Sequence, residues 1–419
     1  MKNELAEKVY KKWEDVQEWF LSKSVDAPMP FYSSVDIRDS GFKIVPVDHN
    51  LFPAGFNNIC EKDQDAASLI FKNLIQRSFG EIKNILILPE NNTSNQYYIE
   101  NLFYLREMIR QAGYTVGIGW HQPDSEKKDP ILLETPRGEK LTAYPTRIEE
   151  RLLKTDEMTP DFIVLNNDFS SGYPLELDCV SQRIVPTYKL GWHSRKKGTH
   201  FKYYNELAKE FAELIGIDPW KLTIHTETVG PVNFNETAGL REVAEAVEKV
   251  ITETQKSYDE HSISTTPKVF IKNNTGTYGM GIMTASSPEE ILTLNRRKKN
   301  KMSVGKNKSE IRSVVVQEGV PTDLKVGEHA AEPVVYLAGC QLIGGFVRSN
   351  TERGDLDNLN SKGMIFEKLC MSDLGRMSVS DTFESTNIPL LELVYGSIAR
   401  LSALAAGREI LDTQANNVK

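Results

Sequence analysis

The sequence predicts an α/β protein organised as α+β lobes, and two observations carry that prediction. Through the first 260 residues, short apolar runs alternate with amphipathic helical stretches, the pattern of strand–helix–strand units in a parallel sheet. Beyond residue 261, strand-type segments dominate until a last helix. The length of 419 residues agrees, since about 150 residues per domain gives two or three lobes. The expected divisions are 1–80, an N-terminal helix and strand pair; 81–260, an α/β domain; and 261–419, a strand-rich lobe with a C-terminal helix.

The opening MKNELAEKVYKKWEDVQEWF reads as a charged amphipathic helix. Apolar alternation on either side of Ser40 and Gly41 predicts two strands joined by a turn, the second ending in polar residues. KNILILPE, a helix over about Tyr97–Ala112 and YTVGIG form a parallel unit, with NNTSNQ (Asn91 to Gln96) at the strand's carboxyl edge. Both a helix cap and a substrate contact fit that edge. DFIVLNNDFS repeats the pattern. RIVPTYKL is another strand, followed by a basic loop from His193 to His200 and a helix to about Ile215. A helix over about Glu236–Lys256 precedes the strands KVFIK, SVVVQEG and the pair EPVVYLAG and CQLIGGFVRS, hinged at Gly339. The helix Pro389–Gly407 is the last clear element.

Composition excludes several functions. A formal charge of −8 argues against general nucleic-acid binding, which needs a cationic surface. No apolar run is long enough to span a membrane, and the N-terminus has no apolar signal core, so residence in the cytoplasm is expected. Cys60, Cys179, Cys340 and Cys370 have no paired or metal-ligand spacing and read as buried free thiols. The basic stretch Asn295 to Lys308 reads as a solvated helix end and loop, with a contribution to holding a polyanion left open. Subunit number is not fixed, and a homo-oligomer is compatible with the sequence.

KVFIKNNTGTYGMGIM, Lys268 to Met283, sets a strand ending in Lys272 against Gly276, Gly279 and Gly281. A Walker loop needs its lysine after the glycines, and a Rossmann fingerprint reads GxGxxG where this reads GxxGxG. What remains is a strand that delivers an ammonium to a phosphate while a flap of Gly276, Thr277, Tyr278, Gly279 and Gly281 lays backbone N–H groups over the others. Without a ligand the same pattern is a glycine-rich hairpin. Downstream, Gln317, Glu318, Gly319 and Val320 end a strand where backbone groups and a carboxamide suit the edge of an adenine; an ordinary core strand has the same form. Glu332 heads one strand, Arg348 ends the next, and Asn358 and Asn360 occupy a loop. Carboxylate and carboxamide oxygens suit Mg²⁺, and arginine suits phosphoryl charge in transfer.

The order of strand lysine, glycine flap, QEGV hinge, hairpin to GGFVRS and NLN loop resembles the ATP-grasp fold, with 261–419 as its nucleotide-binding lobe. More narrowly, PVDHNLFPAGFNN, HSRKKGTHF, GTYGMGIM, NKMSVGK, VVVQEGV, EPVVY and NLNSKGM, spanning Pro46 to Met364, resemble the bacterial glutamate–cysteine ligases of the ATP-grasp type. The resemblance implies ATP-dependent joining of the glutamate γ-carboxyl to the cysteine amine through an acyl phosphate, with ATP and Mg²⁺ as cofactors. One departure is that no Glu-x-Asn metal pair follows Met364. VDHNLFPAGFNN instead looks like the metal-binding strand of eukaryotic-type glutathione synthetases, whose fold is circularly permuted, so Asp48 and Asn50, with Glu332 and Asn360, are the expected metal ligands. Lys272 and Arg348 would serve the transferring phosphoryl group. Ser194, Arg195, Asn91, Thr93 and Asn358 would bind substrate, Arg195 also acting in catalysis, while Lys196 and Lys197 read as solvated and His193 as structural. A different amine substrate, or a nucleotide-binding module without catalysis, are the competing readings.

Overall fold

The structure is a computed structural model that describes residues 1–90, 94–121, 129–170, 172–275, 282–303, 311–371, 388 and 390–416. Helices α1 (Lys2–Lys11) and α2 (Trp13–Val25) lead into strands β1 (Tyr32–Asp39) and β2 (Ile44–Asn50). Then come α3 (Glu61–Phe79), β3 (Asn84–Pro89), α4 (Gln96–Gln111), β4 (Thr115–Trp120), β5 (Ile131–Glu134) and β6 (Lys140–Pro145). The short strands β7 (Arg147–Glu149) and β8 (Leu152–Lys154) precede β9 (Phe162–Asn166), β10 (Arg183–Val185), α5 (Lys197–Ile215), β11 (Thr226–Val229) and α6 (Thr237–Glu260). Next are β12 (Val269–Asn273), β13 (Ile282–Ala285), α7 (Pro288–Leu292), α8 (Arg296–Ser303) and β14 (Val314–Glu318). Last come β15 (Lys325–Val326), β16 (His329–Ala338), β17 (Gln341–Asn350), β18 (Met364–Leu369) and α9 (Ser397–Asn416).

Among the described residues these strands form three principal sheets. The largest antiparallel one runs β18-β17-β16-β1-β2, so strands from residues 32–50 sit beside strands from residues 329–369. A second sheet runs β10-β9-β3-β4-β6-β5, parallel except for β5 at its edge. The third, β11-β14-β12-β13, is antiparallel.

Local sequence explains the elements. β3 is apolar almost throughout because a parallel strand is covered on both faces. The Asn95 side chain accepts hydrogen bonds from the Tyr97 and Tyr98 amides, so the edge after β3 caps α4. α6 buries Leu240, Val243, Ala244, Val247 and Val250, one stripe of the helix, against β12 and β14. α5 stops at Gly216, whose φ of 69° is the left-handed conformation that glycine adopts without strain.

The antiparallel sheet has two unlike faces. Val35, Ile37, Val335 and Leu337 pack on α1, α2, α5 and α9. On the other face, Tyr336 and Phe346 join the core under α3 and α4, while Asp36, Arg38, Asp48, Glu332 and Arg348 open onto a cavity. Strand alternation produces this division directly.

The sequence reading does not anticipate α3 or strands β5 to β8, β11, β15 and β18. α3 buries a narrow stripe of Asp63, Ala67, Ser68, Phe71 and Ile75, three of the five polar or small, and strands of two to six residues carry little periodicity. The last helix runs nine residues beyond Gly407, because Gly407 lies close against Pro28 rather than ending the helix. No helix among the described residues is long and apolar enough to cross a membrane.

The expectation of four free thiols is corrected. Cys60 and Cys370 are joined in a disulfide with a Cα–Cα distance of 5.6 Å, whereas Cys179 is exposed and Cys340 half-buried. Cys60 precedes α3 and Cys370 follows β18, so the bond ties two walls of the cavity; the Met371 amide donates to the Asp63 carboxylate beside it. Disulfides are rare and usually transient in reducing compartments, so this bond bears directly on the expected cytoplasmic setting. Cys370→Ser is expected to lose about 2–4 kcal/mol of stability in denaturant titrations. Dithiothreitol should lower the wild type by a similar amount and leave the variant unchanged.

Candidate active site

A cavity of about 1070 Å³ lies where the three sheets converge. β1 contributes Ser34, Asp36 and Arg38, β2 Asp48 and Asn50, β16 Glu332, Val334 and Tyr336, and β17 Phe346 and Arg348. In β1, β16 and β17 the lining residues are two apart, so one face of the sheet supplies them, while β2 at its edge adds Val47 and His49 as well. Phe270 and Lys272 of β12 and Gln317 of β14 face them from the third sheet.

Arg348 organises the first wall. Its Nε donates to Glu332 at 2.9 Å and its Nη2 to both Glu332, at 2.6 Å, and Asp36; Nη1 has no acceptor among the described residues. The other oxygen of Glu332 receives Arg38 Nε at 2.6 Å, and Arg38 donates onward to the carbonyls of Asp355 and Asp357. All four side chains are buried. Burial alone would raise Glu332, but Arg38 and Arg348 hold its carboxyl below the usual range. For Asp36 burial wins, with Glu332 and Asp48 adding to it, and its carboxyl is pushed up despite Arg348.

Lys272 faces this wall, as the reading of a strand ending in a lysine requires. Its ammonium donates to the Val47 carbonyl at 2.9 Å and to Gln317 Oε1 at 2.6 Å. Burial pushes its pKa down to about 8, against the attraction of Asp48 and with repulsion from Lys197 and Arg38. The carboxamide of Gln317 is thereby oriented, and its Nε2 is buried without a partner among the described residues. A buried donor left open beside a cavity is costly unless a ligand or water meets it.

The remaining hinge residues divide by role. Val320 lines the cavity. Gly319 donates its amide to the Lys268 carbonyl, and a Cβ there would meet that oxygen at 2.8 Å, so strand approach requires glycine. The Glu318 side chain is fully buried against Lys43, at 2.8 Å to each oxygen, with the Lys43 ammonium 4.7 Å from the Trp220 ring. It anchors the hinge to the β1–β2 turn.

Several expected residues stand differently. Arg195 is committed to the protein: Nε and Nη2 pair with Glu409 at 2.9 Å each, and Nη1 donates to the His49 carbonyl. Together with His200 it draws the Glu409 carboxyl down to about 2, overriding the upward push of burial. Arg195 therefore shapes the wall and has no nitrogen without a protein acceptor to offer a substrate. Ser194 is exposed, closes its own turn onto the Lys189 and Gly191 carbonyls, and is not among the cavity-lining residues. Its neighbour Lys197, read from sequence as solvated, pairs with Asp48 and lines the cavity. The start of α5 at Lys197 decides which of the adjacent cations turns inward, and three consecutive basic residues give no sign of it.

The four expected metal ligands all line the cavity, but they are not equally free to meet an ion. Glu332 has both oxygens on guanidinium groups, Asn360 is exposed at the cavity rim, and no group of three or more His, Cys, Asp or Glu suited to a metal occurs among the described residues. Asp48 and Asn50 stay together on one strand face, and Lys197 and Lys272 keep Asp48 ionised, outweighing the upward push of burial. Asn358 lines the cavity and its Oδ1 accepts the Asn360 amide. Asn91, Thr93, Gly276, Thr277, Tyr278, Gly279 and Gly281 lie outside the described residues, as do positions 304–308 of the basic stretch.

This construction defines the class: an α/β protein with a preorganised cleft of balanced charge, suited to small polar molecules. Comparison with known proteins gives the family. Residues 6–410 match the model of the glutamate–cysteine ligase family, and the chain belongs to that family, whose members are ATP-dependent ligases of small-molecule substrates. It is similar to the crystal structure of a provisionally named gamma-glutamylcysteine synthetase from Methylobacillus flagellatus KT, with a TM-score of 0.88 and 35% identity over 98% of this chain and 96% of that one. A glutathione synthetase-like effector from Globodera pallida gives 0.41 and 9% identity over 87% and 83% of the chains. D-alanyl-alanine synthetase A from Vibrio cholerae O1 biovar eltor str. N16961 gives 0.32 and 10% over 78% and 81%. Likeness at those two levels carries no argument. No curated protein matches the chain.

Two outcomes follow from the wall and the lysine. Glu332→Gln leaves Arg38 and Arg348 facing each other and should cost about 3–5 kcal/mol in denaturant titrations. Lys272 attracts an anion only when protonated, so affinity of the cavity for an anionic probe such as inorganic triphosphate should weaken as pH rises through about 8, by up to about tenfold per unit. Lys272→Arg, charged throughout, should flatten that profile in calorimetric titrations between neutral and alkaline pH.

Proposed function

We propose that the chain joins the γ-carboxyl of L-glutamate to the amine of L-cysteine through an acyl phosphate, giving γ-glutamylcysteine, ADP and phosphate. One observation carries the reading: Asp48, Lys272 and Arg348, far apart in sequence, line one cavity. The arrangement fits an ATP-grasp fold in the permuted form, in which an N-terminal strand supplies Asp48 and Asn50. We assign the nucleotide to the side built by β12 and β14, with the adenine edge at Gln317 and Val320. The amino acids belong to the side built by α4 and the parallel sheet.

A glutamate γ-carboxylate oxygen attacks the γ-phosphorus of ATP, the bond to the bridging oxygen breaks, and ADP leaves. Lys272 neutralises phosphate charge. The open Nη1 of Arg348, fixed by Asp36 and Glu332, meets charge that develops on the transferring group and then on the tetrahedral intermediate. The cysteine amine attacks the acyl carbon, loses a proton, and phosphate departs with the acyl C–O electron pair. Asp48 and Asn50 would hold a magnesium ion, which when bound supplies further neutralisation of phosphate charge. Positioning does most of this work. ATP and free amino acids as substrates fit the cytoplasm, where the Cys60–Cys370 bond would meet reducing thiols.

Purified protein given ATP, magnesium, glutamate and single amino acids should release phosphate only when glutamate and cysteine are both present. Release with another amine and none with cysteine would overturn the substrate assignment, and ATP binding without turnover would overturn the enzymatic one. Lys272→Ala should lower turnover by about 10²-fold or more with an unchanged melting temperature.

A further inference from the structure

The cavity extends past the charge network to a second polar ledge, built from the loop after β2, from α4 and from the turn between β5 and β6. Here Glu100 projects from α4 with its side chain only 6% exposed. One of its oxygens meets Arg137 Nε at 3.0 Å, and the other accepts the Asn57 amide at 3.1 Å. Arg137 is held very differently, with 56% of its side chain exposed. Its Nη1 donates to the Tyr104 hydroxyl at 3.2 Å and its Nη2 has no acceptor among the described residues.

This pair contrasts with the other buried acids of the cavity. Asp36 and Glu332 are matched by guanidinium groups that are themselves buried and tied to the sheet. Glu100 has a neutral amide on one oxygen and an outward-reaching guanidinium on the other. A buried carboxylate beside a cation with an open N–H edge complements a zwitterion: the carboxylate receives an ammonium, and the fork receives a carboxylate.

The ledge is also rigid. Asn101, one residue along α4, accepts the Gly55 amide at 2.8 Å and the Phe56 amide at 3.1 Å, and donates to Asn166 Oδ1 at 3.1 Å. Gly55 has a φ of 105°, and a Cβ there would meet the Tyr336 hydroxyl at 2.8 Å. The loop carrying Asn57 is therefore fixed against both α4 and β16, so Glu100 and its amide partner are placed before any ligand arrives.

The chemistry selects between the two amino acids. The cysteine amine must lose its proton and attack, which a buried carboxylate gripping it as an ammonium would oppose. The α-ammonium of glutamate takes no part in the reaction and can be held charged throughout. Resting on the proposed reaction, we infer that Glu100 and Arg137 bind the α-ammonium and α-carboxylate of glutamate, leaving its γ-carboxylate free to extend toward Arg348. The pair is thus a specificity element for the carboxyl donor.

The test combines calorimetry with steady-state kinetics on the full chain. Arg137→Ala should raise the KM for glutamate about 10- to 100-fold while the KM values for ATP and cysteine stay within about twofold, which also reports an intact fold. Arg137→Lys should fall between. Glutarate, which lacks the amino group, should be a far poorer substrate than glutamate for the wild type, and Glu100→Gln should shrink that preference. A purely structural role for Glu100 would leave the ratio alone. Unchanged glutamate KM in Arg137→Ala, or a rise in the cysteine KM instead, overturns the assignment while the ligase reading stands. A wild type that turns over with ATP but shows no heat with glutamate and makes no γ-glutamyl product overturns both.

Discussion

Arg348 sits between Asp36 and Glu332 on the open face of the antiparallel sheet, and Glu332 in turn binds Arg38. Three neighbouring strands are thereby locked by charge on one side and by packing on the other. A register slip of one residue in β1 or β16 would turn Asp36, Arg38 and Glu332 into the core against α9 and bring Val35 or Val335 into the cavity. The cost of stranding buried charge in that way is several kcal/mol per ion, so the network specifies register as firmly as the apolar face does. The position of Asp48 follows, because β2 is paired to β1 with Asp36 opposite Asp48.

The cavity is consequently preorganised, with most of its charges already answered. Glu409 holds Arg195, Asp36 and Glu332 hold Arg348, and Asp48 holds Lys197. Groups fixed in this way need little reorganisation when charge develops on a bound molecule, which is where electrostatic catalysis gains most. Among the described residues, the atoms left open include Nη1 of Arg348, Nε2 of Gln317, Nε2 of His49 and Nη2 of Arg137. They lie on separate walls of one cleft.

The sequence displayed the strands of this site well and its side-chain partnerships poorly. Lys272, Gln317, Glu332 and Arg348 were legible because each ends or heads an apolar run, and period-two alternation then settles which residues share a face. The same logic could not separate Arg195 from Lys197, since the inward direction depends on where α5 begins. Nor could it show that Glu332 is consumed by two arginines, one of them 294 residues earlier in the chain. Glu100 lies on an amphipathic helix and Arg137 in a turn, with no motif around either, and only the approach of α4 to the β5–β6 turn joins them. The Cys60–Cys370 bond, separated by 310 residues, left no spacing signal at all. Polar α3 and the short strands of residues 131–154 were missed for want of periodicity.

The pairing of β1 with β16 also sets a timetable for biosynthesis. At the usual rate of translation, roughly 5–20 residues per second, the β1–β2 hairpin waits about 15–60 s for its partner strands to emerge. Until then Val35 and Ile37 on one side and the charged row on the other have no sheet to join. The nascent chain therefore carries an unpaired edge through most of its synthesis, and the sheet closes only when its two ends are finally in reach of each other.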